Sequence, residues 1–263
     1  MKQLKAIWAY RFFIISSIKT EFRSRFARSS LGGVWMILHP LAQVAIYALV
    51  LSAVLKAKLP NIDNQYAYAI YLMAGMLGWS LFSEVFERSL NIFIENGNLI
   101  KKMAFPKITL PLIVTGSALV NNILLLGAIL VVFGLLGHIP TVQLLWLPFL
   151  MVISLSLALG LGLMLGIINV FMRDIGQIIP IVMQFWFWLT PIVYVADTLP
   201  EEYRDFFYYN PMIGIIEGYQ NILVYDKAID LAILTYPIVL ACISMVLALF
   251  MYFRANEEMA DAL

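Results

Sequence analysis

The sequence predicts an all-α polytopic membrane protein: an N-terminal interfacial amphipathic helix, six transmembrane helices, and re-entrant outer helices between the fifth and sixth. Three observations predict this class. Of 263 residues, 62% are hydrophobic and only 13% are charged, too little charge to cover a soluble domain of this size. Several apolar runs approach or exceed the ~20 residues that cross a hydrocarbon core as helix. The ~10-residue alternating segments of a transmembrane β-barrel are absent from the sequence.

The elements follow in chain order. Within residues 1–30, Trp8, Phe12, Ile15, Ile18, Phe22 and Phe26 recur every three or four positions, with Lys5, Lys19 and Arg23 largely off that stripe. Such a helix lies in the interface plane of a membrane; packing on a neighbouring protein is the other reading. Arg23, Arg25 and Arg28 lead straight into the first long apolar run. Leu31-Gly32-Gly33 supplies the bend between them, because glycine permits backbone angles that other residues resist. That run starts after residue 30, too late and too long for a cleavable signal peptide. Spans are expected at about 33–56, 66–86, 109–136, 144–170, 176–195 and 232–253. They make one transmembrane domain, with a six-span core at 33–253 and a tail at 254–263. Between the last two spans, the apolar pieces 206–209 and 212–216 are interrupted by Asn210-Pro211 and Glu217-Gly218. Neither piece crosses alone, and two short helices that dip in and return fit them if protein shields their broken backbone.

Charge sets the orientation. With the N-terminus in the cytoplasm, the inner segments hold Lys2, Lys5, Arg11, Lys19, Arg23, Arg25, Arg28, Arg88, Lys101, Lys102, Lys107, Arg173 and Arg254. Only Lys56, Lys58, Arg204 and Lys227 fall outside. The positive-inside rule then puts both termini in the cytoplasm.

The chemistry is defined largely by exclusion. Cys242 is the single cysteine, and His39 and His138 are the only histidines, which argues against intrachain disulfides, thiolate clusters and His-based metal sites. Nothing matches G-x-x-x-x-G-K-[ST], and no Ser/His/Asp or Cys/His set stands out, so this chain is not expected to be an enzyme. No nucleic-acid partner is expected either. The span interiors are nearly free of charge, unlike those of proton-coupled carriers: Glu84 and Glu87 sit at the inner end of the second span and Arg173-Asp174 in the turn after the fourth. His39, inside the first span, reads as a hydrogen-bonded structural group rather than a proton relay. An active transporter of this kind needs its energy from a partner.

Aromatic residues carry the positive signal. Trp35, Tyr47, Tyr66, Tyr68, Tyr71, Trp79 and Phe82 lie in or beside the first two spans, and Phe185, Trp186, Phe187, Trp188 and Tyr194 in the fifth. An interfacial belt and ordinary helix packing account for many of them. Residues 185–188 nevertheless fall mid-span, and rings lining a path there suit sliding sugars. Trp35, Tyr47, Tyr71, Trp79, Phe185, Trp186 and Trp188 are the candidate channel aromatics. Asn121-Asn122 in the third span is expected to hydrogen-bond between helices. Pro40, Pro180, Pro191 and Pro237 mark kinks or breaks. The loop ERSLNIFIENGNLIKKMAFPKITLP is long for a turn; it suits a short amphipathic helix against a cytoplasmic partner, or one lying on lipid.

Four stretches in order, RSSLGGVWMILHPL (28–41), ENGNLIKKMAFPKITLP (95–111), MRDIGQIIPIVMQFWFWLTPIVY (172–194) and YNPMIGIIEGYQNIL (209–223), resemble the membrane subunits of ATP-binding-cassette polysaccharide exporters of the type-2 superfamily. His39-Pro40 stands where family members often carry Asn-Pro. The resemblance implies a permease in the bacterial inner membrane that moves a lipid-linked O-antigen, capsule or teichoic-acid glycan. It implies a homodimer paired with two copies of a cytoplasmic ATPase, which carries the ATP and magnesium; this chain needs no cofactor. It maps an elbow onto Leu31 and Gly32, ATPase-coupling positions onto Asn98, Lys101, Lys102, Arg173 and Asp174, and an outer gate onto Tyr209, Asn210, Pro211 and Glu217. Arg23, Arg25 and Arg28 then stand at headgroup depth, to pair with a lipid pyrophosphate or to hold the helix on anionic lipid. An exporter of a small drug or lipid and a non-transporting scaffold for glycan synthesis are the alternatives.

Overall fold

A helix that is apolar all round must be buried by others, whereas one with a single packed face turns the rest to lipid. The computed structural model describes residues 8–26, 34–48, 66–102, 107–195, 207, 209–255 and 258–259, and their regular structure is helical throughout. In chain order the helices are α1 (Arg11–Phe26), α2 (Val34–Ala48), α3 (Ala67–Glu95), α4 (Gly97–Lys102), α5 (Thr109–Leu135), α6 (Leu147–Phe171, entered through a 3-10 turn at Val142–Trp146), α7 (Ile175–Trp188), α8 (Pro211–Leu223) and α9 (Leu231–Ala255).

The axis of the fold is α3. It is buried on most sides, from Ala67 down to Phe93, and α2, α5, α6, α7 and α8 all pack against it. Its closest neighbour is α6, because glycines remove the side chains between them. A Cβ on Gly162 would meet Phe86 O at 2.8 Å, and one on Gly166 would meet Ser89 O at 2.5 Å. Small residues bring helices into direct backbone contact in lipid, where hydrophobic collapse contributes little. The far side of α6 carries α9. The outer surfaces of α5 and α9 stay apolar, with Val131, Leu135, Val246 and Phe250 exposed, as a lipid-facing surface requires.

Four helices are long and apolar enough to cross a membrane: Ala67–Glu95, Thr109–Leu135, Val142–Phe171 and Leu231–Ala255. They coincide with the expected second, third, fourth and sixth spans. The second departs at its end, since α3 runs nine residues beyond 86 to Glu95. Glu84, Glu87 and Arg88 made the span look finished, but Glu21 on α1 pairs with Arg88 and Asn121 on α5 with Glu84, and the helix continues. The first expected span is represented by α2, 15 residues or about 22 Å long, and its continuation lies outside the described residues.

The fifth expected span, 176–195, ends as a helix at Trp188. Pro191 has no N–H to extend the ladder, so 189–195 runs as irregular backbone. Such backbone is tolerated at membrane depth only where protein satisfies it. Here Tyr68 donates to Val193 O at 2.6 Å, Tyr71 to Pro191 O and Tyr194 O at 3.2 and 3.0 Å, and Gln220 to Pro191 O at 3.0 Å. Helix α8, 13 residues or about 20 Å long, is almost wholly buried against α3, α6 and α9. It begins where Asn210 caps it, accepting from Met212 N at 3.0 Å, with Pro211 in the first turn. The companion apolar piece at 206–209 falls largely outside the described residues.

At the other end of the bundle, α1 docks on α5. A Cβ on Gly116 would meet Ile18 Cδ1 at 2.5 Å, and Ser117 donates to Glu21 Oε2 at 2.8 Å. The expected apolar stripe is therefore divided. Ile18 packs inward, while Trp8, Phe12 and Ile15 are exposed, with the Arg11 guanidinium over the Trp8 and Phe12 rings at 4.8 and 4.4 Å.

Candidate functional site

Helices α2, α3, α5 and α7 line an open cavity of about 700 Å³, within the ~300–1,000 Å³ usual for small-molecule sites. Each helix contributes residues three or four apart, so one face of each points inward. From α2 come Trp35, His39 and Gln43; from α3, Met76, Trp79, Ser80, Ser83, Glu84, Glu87 and Arg88. Helix α5 supplies Asn121, Asn122 and Leu125, and α7 supplies Met183, Gln184, Phe187 and Trp188. The lining thus combines flat aromatic faces with hydrogen-bonding edges.

A ring cluster backs the aromatic wall. Trp79 stands edge-on to Phe187 at 5.5 Å between centroids, and Trp186 stands edge-on to Phe82 at 5.1 Å and to Phe86 at 6.3 Å. The Trp186 indole N–H donates to Asn210 Oδ1 at 2.7 Å. Asn210 Nδ2 in turn reaches Thr190 Oγ1 at 2.9 Å and Leu189 O at 3.3 Å. One asparagine therefore joins the cavity wall, the broken end of α7 and the start of α8.

The polar end is organised by Arg88. Its Nη2 donates to Glu21 Oε1 of α1 at 2.6 Å and its Nη1 to Glu84 Oε1 at 3.4 Å, while Asn121 Nδ2 donates to Glu84 Oε1 at 2.7 Å. Asn122 Nδ2 donates to Leu77 O at 2.9 Å, the interhelical bond expected of this pair. Where α3, α6 and α7 end together, Asn169 is the pin: Nδ2 donates to Leu90 O at 3.1 Å, and Oδ1 accepts from Gly176 N at 2.9 Å.

The candidate channel aromatics separate into groups. Trp35, Trp79 and Trp188 line the cavity. Trp186 lies behind it in the packed cluster. Phe185 is 68% exposed and is not part of the lining. Tyr71 is buried, and its hydroxyl serves the irregular segment after α7. The Tyr47 side chain lies outside the described residues. His39, expected to be a hydrogen-bonded structural group, instead faces the cavity without a hydrogen bond among the described residues.

Of the coupling positions, Asn98 and Lys101 are exposed on α4 while Ile100 is buried beneath them, and Arg173 and Asp174 are exposed in the turn between α6 and α7. The Lys102 side chain is not described. Arg23 is exposed on α1; the Arg25 side chain, Arg28, Leu31 and Gly32 lie outside the described residues. At the proposed gate, Tyr209 is exposed and accepts from Tyr236 OH at 3.0 Å through its carbonyl, Pro211 is buried, and Glu217 is partly buried. Sequence reasoning missed Gln43, Ser80, Ser83 and Gln184 as lining residues. Their helical spacing with His39, Trp79, Glu87 and Trp188 inside otherwise apolar runs was the available signal.

Residues 13–224 match the family model described as ABC-2 type transporter. This chain belongs to the ABC-2 type transporter family. Across its whole length the family member is 28% identical to the O-antigen export system permease protein RfbA of Myxococcus xanthus, covering all of both chains. It is 25% identical to a Klebsiella pneumoniae protein of the same name, over 78% of this chain and 77% of the relative. It is 21% identical to the polysialic acid transport protein KpsM of Escherichia coli, over 90% of this chain and 91% of the relative.

Proposed function

We propose that this chain is the transmembrane permease subunit of an ATP-driven exporter that moves a lipid-linked polysaccharide across a bacterial inner membrane. The observation that carries the reading is the cavity, whose lining sets indole and phenyl rings beside amides, hydroxyls and carboxylates. Sugar rings offer both surfaces at once, with C–H faces that pack on aromatic rings and hydroxyls that take polar partners. The full-length likeness to one O-antigen export permease supports the same substrate class.

The cavity is too small to enclose a polymer, so export needs a continuous path, which a second copy of the chain supplies. ATP bound by a separate cytoplasmic ATPase supplies the energy. The exposed turn at Arg173-Asp174, α4 and α1 are the elements available to that partner. Force at the turn has a defined route inward. Asn169 ties the start of α7 to α3 and α6, and α7 carries Phe187 and Trp188 at the cavity and Trp186 at Asn210. A rigid shift of α7 therefore moves the cavity wall and the α8 cap together. Arg23 and Arg25 belong to α1 and Arg28 follows it two residues on in the sequence, available to a pyrophosphate headgroup that a planar guanidinium pairs with through two hydrogen bonds. The N- and C-termini face the cytoplasm in this reading.

Copurification tests the partnership. The tagged chain is expected to retain a cytoplasmic ATPase and to show no ATP hydrolysis once stripped of it. Robust hydrolysis by the isolated chain would refute the assignment. Mass spectrometry of bound lipid separates a polyprenyl-linked glycan from a small lipid or drug.

A further inference from the structure

At the end of the bundle that carries α4, a smaller apolar cluster lies apart from the main core. It joins Ile92 and Phe93 of α3, Ile100 of α4, Val170 of α6, Ala248 of α9 and Met259. Met259 falls within the expected tail at 254–263, yet it is 1% exposed, while Glu258 beside it is exposed. Ala248, Tyr252, Ala255 and Met259 have the spacing of one helical face. Tyr252 and Ala255 pack against the same cluster. Helix α4 has six residues, too few to persist as a helix without support. It exposes Asn98 and Lys101 and buries Ile100. Its starting joint is met by α9 one turn earlier. The Tyr252 ring stacks on Phe93, with centroids 6.4 Å apart and 21° between the planes. Three residues on, Asn96 Nδ2 donates to Ile92 O at 2.8 Å, and the Asn96 carbonyl accepts from Ile100 N at 2.9 Å.

We propose that Tyr252 and Met259 are positioning residues for energy coupling: they brace the cluster on which α4 stands, and so hold Asn98 and Lys101 in place for the ATPase. The inference rests on the export reading, in which α4 is offered to a separate ATPase, and it names what fixes α4. A six-residue helix transmits a push only if the surface beneath it is stiff, and close packing supplies that stiffness. An unbranched thioether suits the irregular space where several helices end together. A polar side chain at the same place would have to be buried without a partner or leave the cluster. Either outcome loosens the support of α4 and leaves the cavity, at the main core, as it was.

The test uses the full chain with its copurified ATPase in lipid nanodiscs, in a Cys242→Ser background. A nitroxide on a cysteine at Asn98 reports the order of α4, and one at Val142, in the turn before α6, is the control; both positions are exposed. A photoreactive side chain at Lys101 reports capture of the ATPase. Met259→Gln should raise the mobility at Asn98 about twofold and cut capture at Lys101 about threefold, with the Val142 spectrum unchanged. Met259→Leu keeps the volume and the apolar character, and should restore both readings. Tyr252→Ala removes the stack on Phe93 and should act as Met259→Gln does; it decides the matter if that variant fails to accumulate. An Asn98 spectrum unaltered in both variants would overturn the bracing, and so would a loosened α4 with undiminished capture. Complementation separates this from failure of the export reading. If the wild-type chain captures the ATPase and restores surface polysaccharide to cells lacking it, while Met259→Gln and Tyr252→Ala change neither mobility nor capture, only the bracing is wrong. If no ATPase is captured and surface polysaccharide is indifferent to the chain, both are wrong.

Discussion

Asn210 accepts the Trp186 indole N–H and the Met212 amide, and donates to Thr190 and Leu189. Asn210→Ala removes a helix cap and strands an indole donor, for a cost of about 2–3 kcal/mol. The thermal midpoint of the purified chain should fall, and an unchanged midpoint would contradict the role. The tryptophans then separate by function. Trp186→Ala should lower the midpoint as Asn210→Ala does, because its ring fills the Phe82–Phe86 cluster. Trp188→Ala, half-exposed at the cavity, should impair export with little change in the midpoint. Export unaffected by Trp188→Ala and Trp79→Ala would leave these rings as packing. Residue identity was visible in the sequence at this scale, but facing was not. Residues 185–188 read as four adjacent aromatics, and only the helical phase of α7 and its neighbours directs Phe185 outward, Trp186 backward and Phe187 and Trp188 to the cavity.

At the scale of elements, apolar length located the helices well and charge located their ends poorly. The second span looked finished at 86 because Glu84, Glu87 and Arg88 are costly in lipid when alone; Arg88 has a partner 67 residues upstream at Glu21 and Glu84 one 37 residues downstream at Asn121, beyond any local pattern. The fifth failed in the opposite direction. Its apolar composition continues to 195, yet Pro191 ends the helix, and the hydroxyls that make the break tolerable come from Tyr68 and Tyr71, about 120 residues away. Two predictions belong here. Glu21→Ala should loosen α1 from α5, by about 1–2 kcal/mol for the lost charged hydrogen bonds. With Cys242 changed to Ser, a cysteine at Ile18 should then react faster with a thiol reagent, and an unaltered rate would mean that α1 is held otherwise. Gly162→Val should disrupt folding, because its Cβ has only the Phe86 carbonyl and Ser89 Cβ to meet at 2.8 Å. Normal yield and stability would contradict the close α3–α6 contact.

For the whole molecule, the class was legible because composition constrains it: too little charge for a soluble surface and enough apolar length for several crossings. The cavity was not, because its polar residues are dispersed over four helices that only the fold brings together. Lysine and arginine placement yields a topology prediction at this scale. In a Cys242→Ser background, a cysteine at Val142, between α5 and α6, should be labelled from outside intact cells, and one at Asn98 on α4 should be protected. Outside labelling at Asn98 would reverse the orientation. The central claim, that this ABC-2 family member exports a finished polysaccharide, is tested most directly by depleting the chain and measuring where the polymer goes. Full-length, lipid-linked polymer should accumulate in the cytoplasm while surface polysaccharide falls; arrested synthesis with no internal polymer, or undiminished surface polysaccharide, would contradict export.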